Sequence, residues 1–97
     1  MDISNRSGTK IVATADGRVS YAARKQYIGN RIVIDHGYGL NTLYGHLKKI
    51  MVKPGQKVKR GDVIGLLGNT GKSTGPHVHY EVQLNGTPVN PLNYFLN

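Results

Sequence analysis

The sequence predicts an all-β fold, a small antiparallel β-sandwich-like domain of short strands with a short helical turn at its C-terminus. Thirteen glycines and four prolines divide the 97 residues into short apolar runs, a pattern typical of strands joined by tight turns. Several runs alternate polar and apolar residues, which indicates half-buried strands. Because no repeat, linker or low-complexity segment interrupts them, we expect residues 1–97 to form a single domain.

The first strands are predicted from apolar runs that end at turn signals. Residues 11–13 form such a run and are followed by Asp16 and Gly17, a strong turn signal. A second strand is predicted over residues 19–23. A third covers residues 31–35 and ends in the glycine-rich segment that follows it.

The next strands are predicted in the same way. Residues 41–47 alternate, which places Thr42, Tyr44 and His46 on one side of a strand. Pro54-Gly55 is a type II turn signal, in which glycine supplies the positive φ. After a turn at Gly61-Asp62, residues 63–67 form another apolar run.

The C-terminal part contains the longest alternating run, which is expected to be a strand from residue 77 to residue 84. Asn85-Gly86 follows it and is a strong hairpin signal. Asn90-Pro91 is typical of a helix N-cap with proline at the first helical position, so we expect a short helical turn through Phe95.

The charge of the chain favours an anionic partner. Thirteen Lys and Arg oppose five acidic residues, giving a formal net charge of +8, which suits nucleic acid, anionic lipid or an acidic cell-wall polymer. Residues 48–60 contain six lysine and arginine residues and no acidic residue. They are expected to form either a solvated hairpin that protects a sheet edge or a surface that faces a polyanion. No basic helix and no aromatic RNA-binding pattern is present, so no nucleic-acid partner is expected.

The sequence also excludes a membrane span, cysteine-based sites and nucleotide binding by a P-loop. No apolar run is long enough to span a membrane, and the absence of cysteine excludes disulfides and thiolate metal sites. Gly71-Lys72-Ser73 resembles the end of a P-loop, but that motif requires glycine where Leu66 stands and a helix where a strand follows.

The strand predicted over residues 77–84 has the strongest chemical character. His77, His79 and Glu81 alternate with apolar residues and therefore share one face. Neutral imidazole is a common zinc ligand and the side chain best suited to proton transfer near neutral pH. The alternative interpretation is a polar, solvent-facing row that contains two histidines by coincidence.

A catalytic zinc ion takes three protein ligands and leaves one position open. The candidates are His46, His77 and His79 together with a carboxylate, and spacing alone does not choose among them. His36 is instead interpreted as a capping histidine in a turn. The candidate carboxylates are Asp2, Asp35, Asp62 and Glu81.

The segment at residues 68–81, GNTGKSTGPHVHYE, closely resembles the signature of lysostaphin-type zinc metalloendopeptidases. Other segments match the same family in the same order, so that the resemblance covers nearly the whole chain. They are ATADGRV at 13–19, IDHGYG at 34–39, LYGHL at 43–47, VKPGQKVKRGDVIG at 52–65 and PVNP at 88–91.

This resemblance implies a role for each of four residues. Asp2 and His79 would be zinc ligands, whereas His46 and His77 would be unligated catalytic histidines that activate water and stabilise the oxyanion. The remaining zinc ligand of the family is a histidine four positions before the aspartate. In this chain that position would lie ahead of Met1. We therefore expect the 97-residue chain to be an N-terminally truncated fragment of a larger protein, with weak zinc binding and little hydrolase activity.

The function implied by the resemblance is zinc-dependent cleavage of the peptide part of bacterial peptidoglycan. The expected partners are peptidoglycan peptides and anionic cell-wall polymer, in the periplasm, the cell envelope or outside the cell. One alternative is a non-catalytic wall-binding or regulatory module with the same fold. Another is a carrier domain, since residues 52–65 resemble biotinyl and lipoyl hairpins, but the lysine motif of those domains is missing.

Overall fold

The computed structural model describes residues 2–4, 9–25, 29–68 and 77–89. Within these ranges the chain forms nine strands of one antiparallel sheet and no helix, which confirms the predicted all-β class. The helical turn predicted for residues 90–95 lies outside the described ranges. The strands are β1 (Asp2–Ser4), β2 (Lys10–Val12), β3 (Gly17–Lys25), β4 (Gly29–Asp35), β5 (Leu40–Ile50), β6 (Lys57–Val58), β7 (Val63–Leu67), β8 (His77–Leu84) and β9 (Thr87–Val89).

The sheet has the order β1-β8-β5-β4-β3-β6, with β9 beside β8. Strand β5 belongs to two parts of this sheet. Residues 40–45 pair with β8, whereas Leu47, Lys49 and Ile50 pair with β7, which itself pairs with β2. The long β5 therefore joins the strands that carry the histidine pair to the β2–β7 ribbon.

Alternation along the strands places the core on one face of the sheet. In β4, Ile32 and Ile34 are fully buried, while Arg31 and Val33, which alternate with them, are only partly buried. Burying such an apolar side chain stabilises the fold by roughly 1.5–3 kcal/mol. The core cluster consists of Ala13, Val19, Ile32, Ile34, Tyr44, Leu47, Val52, Val58, Ile64, Leu67, Tyr80 and Val82.

A polar network crosses this apolar core. Thr14 Oγ1 lies 3.1 Å from Tyr44 Oη and 3.0 Å from Tyr80 Oη, and Thr42 Oγ1 donates to Tyr44 Oη at 3.0 Å. The two tyrosine rings pack at a tilt, with centroids 5.3 Å apart. Desolvation by burial raises the pKa of Tyr80 to about 12, against an opposing effect of the Thr14 hydrogen bond.

Two predicted turns are confirmed. Gly55 has φ of 89° and Gln56 N donates to Lys53 O at 3.1 Å, as the Pro-Gly signal predicts. Asn85 and Gly86 both have positive φ, 52° and 82°, which is the type I′ geometry of a two-residue hairpin between β8 and β9. No helix of the described residues is long and apolar enough to cross a membrane.

Candidate functional site

Three strands place Asp2, His79 and Gly45 in one row across the sheet. Asp2 is directly opposite His79 in the β1–β8 pairing, and Gly45 is opposite His79 in the β5–β8 pairing. Directly opposed residues of antiparallel strands lie on the same face, with Cα atoms roughly 4.5–5.5 Å apart. The register therefore brings together the aspartate and the histidine that the sequence predicts as metal ligands, and their role as ligands stays a prediction.

His77 lies two positions from His79 and opposite Ser4 of β1, so the strand period puts both histidines on one face. The opposite face of β8 is the core face, where Tyr80 and Val82 are almost completely buried. Glu81, which belongs to the same alternating row of β8 as His77 and His79, is only half-buried and lies on the side of the sheet opposite the core. We call this side of the sheet the site face.

His46 immediately follows Gly45 and lies in a β-bulge. Tyr44 pairs with Ile32 and Leu47 pairs with Asn30, so two residues of β5 oppose Arg31 alone. Within the bulge His46 has φ of 62°, a left-handed conformation that costs a non-glycine residue roughly 1–2 kcal/mol. Bulges are common beside active sites, where they redirect a side chain.

The bulge corrects one sequence prediction. Regular alternation would put His46 on the same side as Thr42 and Tyr44, but the extra residue changes the phase of the strand. Leu47 continues the buried row with no exposed surface, whereas His46 is only half-buried. The catalytic role predicted for His46 is independent of this error and stays a prediction.

The alternative carboxylates differ in position. Asp35 accepts a hydrogen bond from Gly37 N at 2.8 Å, and Asp62 accepts one from Lys59 N at 2.9 Å, so both cap turns. Glu81 lies on the site face next to His79, and its Oε2 accepts from Gln83 Nε2 at 2.6 Å. Asp2 is the one of these four carboxylates that lies directly opposite His79, and its role as a ligand stays a prediction.

His36 has the structural role that the sequence predicts. Its Nδ1 lies 2.6 Å from the carbonyl oxygen of Asp16 and its Nε2 lies 2.7 Å from Thr42 Oγ1. Both ring nitrogens therefore tie the β4–β5 turn to neighbouring segments. Across the described parts of the chain, no group of three or more His, Asp or Glu residues is placed to hold a metal ion.

Sequence reasoning missed two cavities. A cleft of about 510 Å³ lies at the far end of the sheet and is lined by Asp16, Gly17, Arg18, Asp35, His36, Gly37, Lys57, Val58 and Lys59. A smaller pocket of about 190 Å³ is lined by Ser20, Tyr21, Arg31 and Val33. The alternation of residues 31–35 could have shown that Arg31 and Val33 share a face, but the sequence contains no signal that Tyr21 joins them.

Comparison with known proteins decides the family. The model of peptidase family M23 matches residues 1–91. The chain belongs to peptidase family M23. This match includes the segment at residues 68–81, and the antiparallel all-β fold is also that of the family. The similarity to lysostaphin-type peptidases that the sequence indicates is therefore confirmed.

Two curated M23 relatives are highly similar over their matched segments. The chain is 45% identical over 96 residues to the DD-carboxypeptidase/endopeptidase Mpg of Neisseria meningitidis, covering 99% of this chain and 22% of that protein. It is 50% identical over 91 residues to the peptidoglycan DD-endopeptidase ShyA of Vibrio cholerae, covering 94% and 21%. The chain thus spans about a fifth of the length of the curated relatives it matches.

Solved structures of M23 peptidases have the same fold. The catalytic domain of lysostaphin from Staphylococcus simulans superposes with a TM-score of 0.91 at 33% identity, covering 99% of this chain and 77% of that one. A zinc-containing peptidase from Vibrio cholerae superposes with a TM-score of 0.88 at 45% identity, covering 91% and 27%.

Proposed function

We propose that this chain is the catalytic domain of a zinc-dependent endopeptidase that cleaves the peptide part of bacterial peptidoglycan. The observation that carries the proposal is the row of Asp2 and His79, directly opposed on β1 and β8 of an M23 domain. Similarity to a peptidoglycan DD-endopeptidase supports the substrate class. Similarity to a zinc-containing peptidase supports the choice of metal.

In the proposed site, Asp2 and His79 hold the zinc ion. A carboxylate and an imidazole are ordinary zinc ligands, and their opposed positions on paired strands suit binding of one ion. A third ligand is proposed to be a histidine four positions before Asp2 in the complete protein. When bound, zinc supplies Lewis acidity that makes water a competent nucleophile near neutral pH.

His77 and His46 are proposed to carry out the proton chemistry. His77 is two positions from His79 on the same face, and His46 follows the residue that pairs with His79. A neutral histidine there removes a proton from the attacking water, and a second donates a hydrogen bond to the developing oxyanion. Because both lie on paired strands, their backbone positions are held without a mobile loop.

The proposed surroundings of the protein follow from the substrate. Peptidoglycan lies outside the cytoplasm, so the protein acts in the periplasm, at the cell envelope or outside the cell. The net charge of +8 supports long-range attraction to anionic polymers of the wall, which raises the rate of encounter without providing specificity.

The test compares two histidines of the same strand in the full-length protein. His79→Ala is expected to lose both zinc and peptide release from purified peptidoglycan, because it removes a ligand. His77→Ala is expected to keep zinc near the wild-type content and to lose activity by roughly 10²–10⁴-fold, the usual contribution of a general acid or base. Zinc content is measured by elemental analysis, and peptide release by chromatography.

Gln83→Ala is the control, since Gln83 lies on the same face of β8 but roughly 13 Å along the strand from His79. It should keep both zinc and activity. Equal loss of metal in the two histidine variants would refute the division of roles. A zinc-loaded wild type that releases no peptide would instead indicate a non-catalytic wall-binding module.

A further inference from the structure

We propose that Arg31 binds a free carboxylate of the substrate, two to three residues from the peptide bond that is cut. Arg31 would thereby determine specificity without taking part in the bond cleavage itself. The inference rests on the proposed peptidase function and adds a chemical requirement to the substrate. It begins from the small pocket of about 190 Å³ that Arg31 lines together with Ser20, Tyr21 and Val33.

The pocket lies on the site face. Val33 pairs with Leu43, which pairs with Glu81, the residue two positions from His79. On its other side Val33 pairs with Tyr21. Opposed residues share a face, so this row runs continuously from β8 to β3. Arg31 is two positions from Val33 and therefore has the same orientation.

Burial supports this assignment. Ile32 and Ile34, which alternate with Arg31 and Val33, are fully buried in the core on the opposite face. Leu43 is buried as well, at 6% exposure, but it does not belong to the core cluster. Its absence from the core cluster agrees with its pairing with Val33 and Glu81 on the site face.

The residue of β5 between the two sites is Gly45, which is buried and carries no side chain. Arg31 is opposite the Gly45–His46 bulge, and Gly45 pairs with His79. A glycine within a strand often marks the close approach of a ligand or another backbone. In the proposed arrangement, an extended peptide crosses β5 at Gly45 between His79 and Arg31.

The separation sets where the carboxylate lies in the substrate. Two strand spacings of roughly 4.8 Å separate β8 from β4, so the Cα atoms of His79 and Arg31 are about 10 Å apart. An extended peptide covers about 3.5 Å per residue. A peptide bond held at His79 and a group held at Arg31 are thus about two to three residues apart in the substrate.

The chemistry of the pocket fits a carboxylate. Arg31 is half-buried, and within the described ranges its side chain has no ion pair and no hydrogen bond that would occupy the guanidinium. Ser20 lies in a bulge of β3, with its Oγ donating to Val33 O at 3.3 Å, and Tyr21 lines the same pocket. A guanidinium binds a carboxylate through two parallel hydrogen bonds, and a partly desolvated site strengthens them.

The test uses two synthetic peptides that contain the same scissile bond. They differ only at the group two to three residues away, which is a free carboxylate in one and a carboxamide in the other. Wild-type full-length protein is expected to prefer the carboxylate peptide by about tenfold in kcat/KM, mainly through KM. In Arg31→Gln this preference should disappear.

Two variants act as controls. Arg31→Lys should retain part of the preference, because lysine keeps the charge without the planar fork. Arg60→Gln removes the same charge from an exposed turn between β6 and β7 and should keep the full preference. Thermal unfolding of each variant checks that the fold is intact.

Failure of the inference is distinguishable from failure of the proposed function. An unchanged preference in Arg31→Gln would overturn the role of Arg31 while leaving the peptidase proposal in place. If the wild type cleaves neither peptide, calorimetry measures their binding instead. Tighter binding of the carboxylate peptide that is lost in Arg31→Gln would support the subsite, and equal binding or none would refute it.

Discussion

His46 is the residue at which local conformation and proposed chemistry coincide. Its φ of 62° is unfavourable for a residue with a Cβ atom, yet the flanking pairs Tyr44–Ile32 and Leu47–Asn30 hold the backbone in place. Strained residues persist where surrounding structure overdetermines them, and they are frequent at active sites. The strain at His46 therefore agrees with its proposed catalytic position.

Replacing His46 separates the backbone cost from the side-chain function. His46→Gly is expected to be more stable than His46→Ala by about 1 kcal/mol, because glycine adopts positive φ without the Cβ clash. Urea unfolding of the two variants measures this difference. An alanine variant as stable as the glycine variant would show that the bulge relaxes, and both variants should lose peptide release if the proposed role is correct.

At the scale of residues, the sequence predicts some of the site. Strict alternation in β8 was sufficient to place His77 and His79 on one face, because a strand has a period of two. The side of the strand on which His46 lies could not be predicted, since its bulge arises from pairing with β4. The proximity of Asp2 to His79 can be inferred only from the register of β1 with β8, because the two residues are near opposite ends of the chain.

Among the elements, the segment after β2 links the two strands nearest the site. Thr14 follows β2, and its hydroxyl contacts both Tyr44 of β5 and Tyr80 of β8, while its backbone N–H donates to Tyr44 Oη at 3.3 Å. Tyr44 is two residues before His46, and Tyr80 is next to His79. A single hydroxyl thus ties together the strands whose opposite face carries the proposed catalytic residues.

Thr14→Val is expected to destabilise the domain by about 1–3 kcal/mol. The substitution keeps the shape of the side chain but leaves the buried Tyr80 hydroxyl without its contact to Thr14, and an unsatisfied buried hydroxyl carries a cost of this size. Thr14→Ser is the matched control, since it retains the hydroxyl. Chemical denaturation compares the two, and a valine variant as stable as the serine variant would mean that water replaces the lost contact.

At the scale of elements, the positions of strands and turns were more predictable than the pairing of one strand with another. The chain bends before Gly17 as the Asp-Gly signal predicts, but β2 pairs with β7 instead of continuing into a hairpin with β3. Likewise, the strand predicted over residues 41–47 extends to Ile50 because β7 pairs with its end. Local sequence encodes strand and turn propensity, whereas these pairings depend on how distant apolar faces are buried together.

For the whole molecule, stability should fall at alkaline pH because of Tyr80. Burial raises the pKa of Tyr80 from 10.0 to about 12, so the folded state keeps the phenol proton over a range in which the unfolded state releases it. The stabilising contribution is fully present below pH 10 and is lost as pH rises from 10 to about 12.

This dependence is tested by comparing wild type with Tyr80→Phe. Phenylalanine cannot ionise, so the variant should lose less stability than the wild type as the pH rises from 10 to about 12. Urea unfolding at several pH values gives the slope of the free energy of unfolding against pH for each protein. The other tyrosines and the lysines contribute equally to the two slopes. Parallel slopes would show that the Tyr80 hydroxyl is more accessible to water than its burial at 2% exposure indicates.

The pairing of β1 with β8 has a consequence for biosynthesis. His79 is synthesised 77 positions after Asp2 (79 − 2), and the two become neighbours only when the sheet closes. Contacts between such distant parts of a chain form late, since the loop between them must first be ordered. The proposed metal site is therefore assembled only after β8 has been synthesised and has paired with β1.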